Sequence, residues 1–127
     1  MEIEILLEEI YALQHSEDFE CRSIGNALDG ALQSGHILAF DDSIPTRSTQ
    51  GGAWGFLGGD NHPPNSVNDP YAGQIHLGIR NRDTEDWLET ARHEGAHQTG
   101  TTAETTPNPS NTTQMGAEQI ATYCRSH

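Results

Sequence analysis

The sequence predicts a single α+β domain over residues 1–127, with two N-terminal helices, a small, mostly antiparallel sheet of about three strands, and two further helices. Three observations point there. Apolar residues recur at helical spacing in the first third of the chain and again in its last third. The middle carries short apolar or alternating runs punctuated by glycine, as strands do. A chain of 127 residues fills one hydrophobic core, burying roughly two-thirds of the surface that the unfolded chain exposes, and leaves no room for a second domain.

Ile3, Leu6, Leu7, Ile10 and Leu13 fall three and four residues apart among Glu2, Glu4, Glu8 and Glu9, which predicts an amphipathic helix from about Glu2 to His15. Ser16 is a good N-cap for a second helix that places Ile24, Ala27, Leu28 and Ala31 on one face and stops at Gly35; Gly25 and Gly30 count against it. Three strands are expected at His36–Phe40, Ala53–Leu57 and Gln74–Arg80, where Ile75, Leu77 and Ile79 alternate with more polar neighbours or glycine. A loop rich in Pro and Asn covers Asp60–Gly73. Asp83 can cap a helix running to about Gln98 and ending at Gly100. Thr101–Gln114, with almost no apolar residue, reads as a surface loop, and Met115–Arg125 as the closing helix.

The charge balance excludes some partners. Nineteen acidic residues face six basic ones, all Arg, for a net charge of −13. That charge repels phosphate backbones and anionic lipid surfaces, so neither nucleic acid nor a membrane is an expected partner. No run approaches the ~18 apolar residues of a membrane span, and the N-terminus offers no leader-like segment, so a cytoplasmic location is expected, with a secreted effector or excised domain as the other option. Cys21 and Cys124 do not form a CxxC pair and are expected as free buried thiols, because a disulfide needs an oxidising compartment.

Chemistry enters at Arg92-His93-Glu94-Gly95-Ala96-His97, which contains HExxH inside the helix that Asp83 can cap. Four residues advance a helix by about 400°, so His93 and His97 project from nearly the same side, about 6 Å apart along the axis, and can reach one ion. Zinc suits these donors. Glu94 is offset by roughly 100°, close to the ion yet poorly placed to bind it, and is thereby free to act as the base that takes a proton from water.

A catalytic zinc takes a third protein ligand. The stretch His93–Gly100, HEGAHQTG, resembles the metzincin pattern through its glycine, but the next required position is Ala103, which cannot bind a metal; Glu104 beside it is a fallback. The chain from HExxH onward, with Glu118 in GAEQIATYC 21 residues after His97, is more similar to gluzincins, and the preceding order of elements resembles compact minigluzincin-type metallopeptidase domains. That resemblance implies a zincin-like fold, a Zn2+ ion held by His93, His97 and Glu118, and peptide-bond hydrolysis with Glu94 as general base. It also implies a peptide or protein substrate lying beside the 53–57 strand. Where gluzincins often carry an orienting Asp, this chain has Thr122.

Tyr123, Tyr71 and His76 are the candidate oxyanion stabilisers, among which sequence does not choose, and His127 is a spare ligand. The alternative function is a non-catalytic, zinc-stabilised binding module whose negative charge recruits a basic protein.

Overall fold

The computed structural model describes residues 3–40, 55–57, 75–78, 83–101 and 103–127. Helix α1, Ile3–Gln14, buries Leu6, Ile10 and Leu13. Ile3, Leu7 and Tyr11, at successive fourth positions, are left on its outer face, so two of the five residues expected to face the core do not. Helix α2, Phe19–Gln33, begins later than expected because Asp18, not Ser16, is its N-cap: the carboxylate accepts from the amides of Glu20 and Cys21 at 2.9 and 3.2 Å. Ser16 instead accepts from the Asp18 amide and donates to the His127 carbonyl, joining the start of α2 to the end of the chain.

Gly25 is required by packing. A Cβ there would lie 2.8 Å from Leu13 Cβ and 2.9 Å from the Gln14 amide nitrogen, so α1 and α2 cross closely only because this residue has none. The glycine that counts against the helix in the sequence is what lets it pack.

Helix α3, Thr84–Gln98, is capped by Asp83 as expected and buries Trp87, Leu88, Ala91 and Ala96. Gly95 faces α2, where a Cβ would come within 3.0–3.1 Å of Ile24 and Leu28. A 3-10 turn at Thr112–Gln114 precedes helix α4, Ala117–Tyr123, which is shorter than expected at both ends.

The expected α+β class is corrected to a helical one. Among the described residues every buried hydrophobic side chain except Ile37 and Ile75 belongs to a helix or a helix cap, and the core is the packing of α1 on α2, α2 on α3 and α3 on α4. What remains of the sheet is a ladder of three- and four-residue segments, β1 Ile37–Phe40, β2 Gly55–Leu57 and β3 Ile75–Gly78, in the order β1-β3-β2. It is not mostly antiparallel: β1 runs parallel to β3, pairing Ile37 with Ile75, and only β2 is antiparallel. Within the described residues these segments are shorter than the commonest strand length of about 5–6 residues. The 60–73 loop lies outside the described residues.

Cys21 and Cys124 form a disulfide, with their Cα atoms 5.6 Å apart, which corrects the expectation of free thiols. The bond ties the first turn of α2 to the C-cap of α4.

Arg92 is a fully buried cation. Its Nε donates to the Ala121 carbonyl of α4 at 2.7 Å, Nη1 meets Glu9 of α1 at 2.7 Å, and Nη2 meets Glu85 of α3 at 2.5 Å. One guanidinium thus bonds three helices, using the planar fork that a lysine lacks. Removing one partner of a buried pair costs about 3–5 kcal/mol, and here the two acids are partly solvated, Glu9 at 19% and Glu85 at 34% side-chain exposure, and Glu85 keeps Arg125 Nε at 3.4 Å. Arg92→Ala should therefore lower unfolding stability by about 3 kcal/mol, the lower end of that range, read from the urea midpoint at unchanged slope. A change below about 0.5 kcal/mol, the scale of an ordinary surface substitution, would mean that the guanidinium does not join the helices.

Candidate metal centre

The site starts from α3. His93 and His97 lie one turn apart, with side chains 18% and 12% exposed, their ring centroids 4.9 Å apart and their Nε2 atoms 3.2 Å apart. Two nitrogens bound at about 2.05 Å to one tetrahedral ion lie about 3.3 Å from each other. The pair is therefore already at ligand spacing.

The opposite nitrogens are both engaged. His97 Nδ1 lies 2.7 Å from the Thr101 carbonyl, which can only accept, so Nδ1 carries the proton. His93 Nδ1 lies 3.3 Å from Glu118 Oε2, which as a carboxylate also accepts. With its Nδ1 protonated, neutral His97 presents the Nε2 lone pair toward His93 Nε2, where a cation could be shared between the two rings. Holding the outer nitrogen of a metal-binding histidine by a carbonyl or carboxylate is how such rings are oriented.

A third candidate donor within reach of both rings is Glu104. Its two carboxylate oxygens are each 2.8 Å from one Nε2, of His93 and of His97. His93, His97 and Glu104 can each offer one ligand atom within 4.8 Å of the others, and theirs is the cluster of this kind found among the described residues. Ligands of one tetrahedral ion sit about 3.4 Å apart, so the carboxylate has to retreat by a few tenths of an ångström to admit an ion. With its side chain 59% exposed, Glu104 has the freedom to do so.

Local backbone explains why Glu104 arrives. α3 stops at Thr99, and Gly100 takes φ +110°, a conformation that side-chain-bearing residues rarely adopt. The chain turns back there, placing the Thr101 carbonyl on His97 and bringing Glu104 to the exposed edge of the two rings. The tenth residue after His93 in the metzincin pattern is Ala103 here; the acid one position further on makes the approach.

Glu118, expected as the third ligand, lies on the far side of the His93 ring from Glu104, against Nδ1. Thr122 donates to Glu89 at 2.9 Å. Glu94 is buried on the same turn of α3 as His93, at 5% exposure. Tyr123 stacks on the His127 ring, with centroids 3.8 Å apart, and lines a cleft with Glu17, Asp18, Ser126 and His127, so neither Tyr123 nor His127 is brought to the cluster. Tyr71 lies outside the described residues; His76 is on β3, opposite Leu38 and Phe56, with its side chain outside the description.

Sequence reasoning placed Glu118 first and Glu104 as a fallback, whereas the structure brings Glu104 nearer to both Nε2 atoms; it did not find the Arg92 node. The one sequence signal that bears on the position of Glu104 is Gly100, a helix-ending glycine at which the chain can turn back. No protein-family model, no curated protein and no solved structure matches the chain.

Proposed function

We propose that this chain is a zinc-dependent hydrolase acting on a peptide or protein, with His93, His97 and Glu104 as ligands, Glu118 and the Thr101 carbonyl orienting the two rings, and Glu94 as general base. The observation that carries the reading is the convergence of two Nε2 atoms at ligand spacing on one carboxylate, with both outer nitrogens already engaged. A bound divalent ion supplies a Lewis acid for the scissile carbonyl and makes water acidic enough to be deprotonated near neutral pH. The chain's own part is to take that proton on Glu94 and return it to the departing amine, while the substrate lies extended beside residues 53–57. Glu104 and Glu118 draw the ion by charge.

The disulfide supports an oxidising compartment over the cytoplasmic location expected from the N-terminus, since such bonds persist where thiols are not kept reduced. Among the described residues no helix is long and apolar enough to cross a membrane.

Competition with a chromophoric chelator tests the ligand set. Wild type should take up about one equivalent of zinc, and His93→Ala or His97→Ala should abolish stoichiometric binding. Glu104→Ala should weaken affinity more than Glu118→Ala, for which about 10–100-fold is expected of a group acting through a ligand. Wild-type affinity in both histidine variants would remove the site, and a larger loss for Glu118→Ala than for Glu104→Ala would reverse the roles of the two acids.

A further inference from the structure

Glu104 stands on a loop, and a ligand on a loop is only as well placed as the backbone beneath it. That backbone is bonded to the start of α4. The amides of Ala117 and Glu118, which have no partner within a helix's first turn, donate to the carbonyls of Ala103 and Glu104 at 2.9 and 3.0 Å. The half-buried Gln119 completes the attachment: its Oε1 accepts from the Thr106 amide at 2.9 Å and from the Gly116 amide at 2.8 Å, and its Nε2 donates to the Thr106 carbonyl at 2.9 Å. Gly116 makes the approach possible, because a Cβ there would lie 2.4 Å from the carbonyl carbon and oxygen of Glu104.

We infer that Gln119 is a positioning residue for the metal centre, clamping both backbone groups of Thr106 to α4 so that the Glu104 carboxylate is held against His93 and His97. This rests on the reading of those three residues as a metal centre. α4 contributes on two sides: Gln119 fixes the loop bearing the third ligand, while Glu118, the residue before it, orients the His93 ring. Without the clamp the histidines stay on α3 as they are, and the loss falls on the third ligand alone.

The test is cobalt binding, because Co(II) takes the place of zinc and its visible absorption reports donor number and type. Gln119→Met keeps the length of the side chain and removes all its hydrogen bonds. The variant should bind Co(II) about 10–100-fold more weakly than wild type. At saturating metal its visible bands should be displaced and weaker, as expected when a fixed carboxylate is replaced by solvent, while its metal-free far-UV circular dichroism matches wild type. A loss of fold without a change in the site would not move the spectrum of the saturated protein. Affinity within twofold of wild type together with the wild-type spectrum overturns the positioning role and leaves the metal centre standing. Absence of Co(II) binding in wild type overturns both.

Should Gln119→Met fail to fold, amide hydrogen exchange on wild type decides. Clamp and metal hold the same loop, so by linkage each strengthens the other, and zinc should slow exchange at Thr106 and Gly116 severalfold. Unchanged exchange at both amides in zinc-saturated protein overturns the inference.

Discussion

Replacing both Cys21 and Cys124 by alanine should lower unfolding stability by about 4–5 kcal/mol, the chain-entropy value for closing a loop of roughly 100 residues. The bond spans 103 residues of sequence, so it restricts nearly the whole unfolded chain and leaves the folded contacts almost untouched. Both residues are buried, Cys21 at 0% and Cys124 at 6% exposure, so losing the two sulfurs adds a packing cost in the same direction. For a domain of this size the melting temperature should fall by on the order of 15 °C, and a reductant should bring wild type, which keeps both sulfurs, most of the way to that point. Alkylation of the unreduced protein in denaturant, read by mass, checks the premise directly: two free thiols there would mean that the bond does not form.

The same bond has a consequence for the site. It anchors the C-cap of α4, whose first turn carries Glu118 and Gln119, while Arg92 holds the Ala121 carbonyl of that helix from the other side. A helix of seven residues is too short to persist unaided in water, and α4 depends on such attachments. Thr112 adds another by donating to both oxygens of the Asp18 cap carboxylate, at 3.0 and 2.8 Å. Glu104 and its support are thus tied to the start of α2, and the two histidines stand on α3.

How much of this was legible follows from the range of each interaction. Helix periodicity is local, so α1, α2 and α3 were found nearly in place, and the common face of His93 and His97 follows from 3.6 residues per turn alone. The cap of α2 was misplaced by two residues because Ser16 and Asp18 are both good caps, and what decides is that Ser16 is drawn to the His127 carbonyl. Apolar runs such as Ile37–Phe40 show burial but not partner or direction; that β1 pairs in parallel with β3 depends on where the intervening chain goes. The Cys21–Cys124 pairing and the Arg92 node depend on helices that meet only after folding. Glu104 lay between these cases. Its seven-residue distance from His97 was visible, but the sharp return at Gly100 that makes the distance workable is a backbone conformation, and Glu118 on a helix offered the more familiar pattern.

The largest expected effect on activity is that of Glu94→Gln. Helix geometry sets Glu94 about 100° around α3 from His93, and the side chain is buried at 5% exposure. Glutamine keeps the shape and a hydrogen-bond acceptor but cannot take a proton, so hydrolysis should fall by about two to four orders of magnitude, the range for loss of a general base. Zinc content should stay near one equivalent, because His93, His97 and Glu104, the proposed ligands, are unchanged. The pair of readouts is what separates catalysis from binding: a non-catalytic zinc-stabilised module would keep its metal and show no hydrolysis in wild type either. A mixed peptide library with mass-spectrometric detection supplies the substrate, comparing wild type, Glu94→Gln and chelator-treated wild type. Cleavages present in the first and missing from both others support the hydrolase. Cleavage undiminished by Glu94→Gln would remove Glu94 from the mechanism, and no cleavage by any sample, with zinc bound by four protein donors, would favour the binding module.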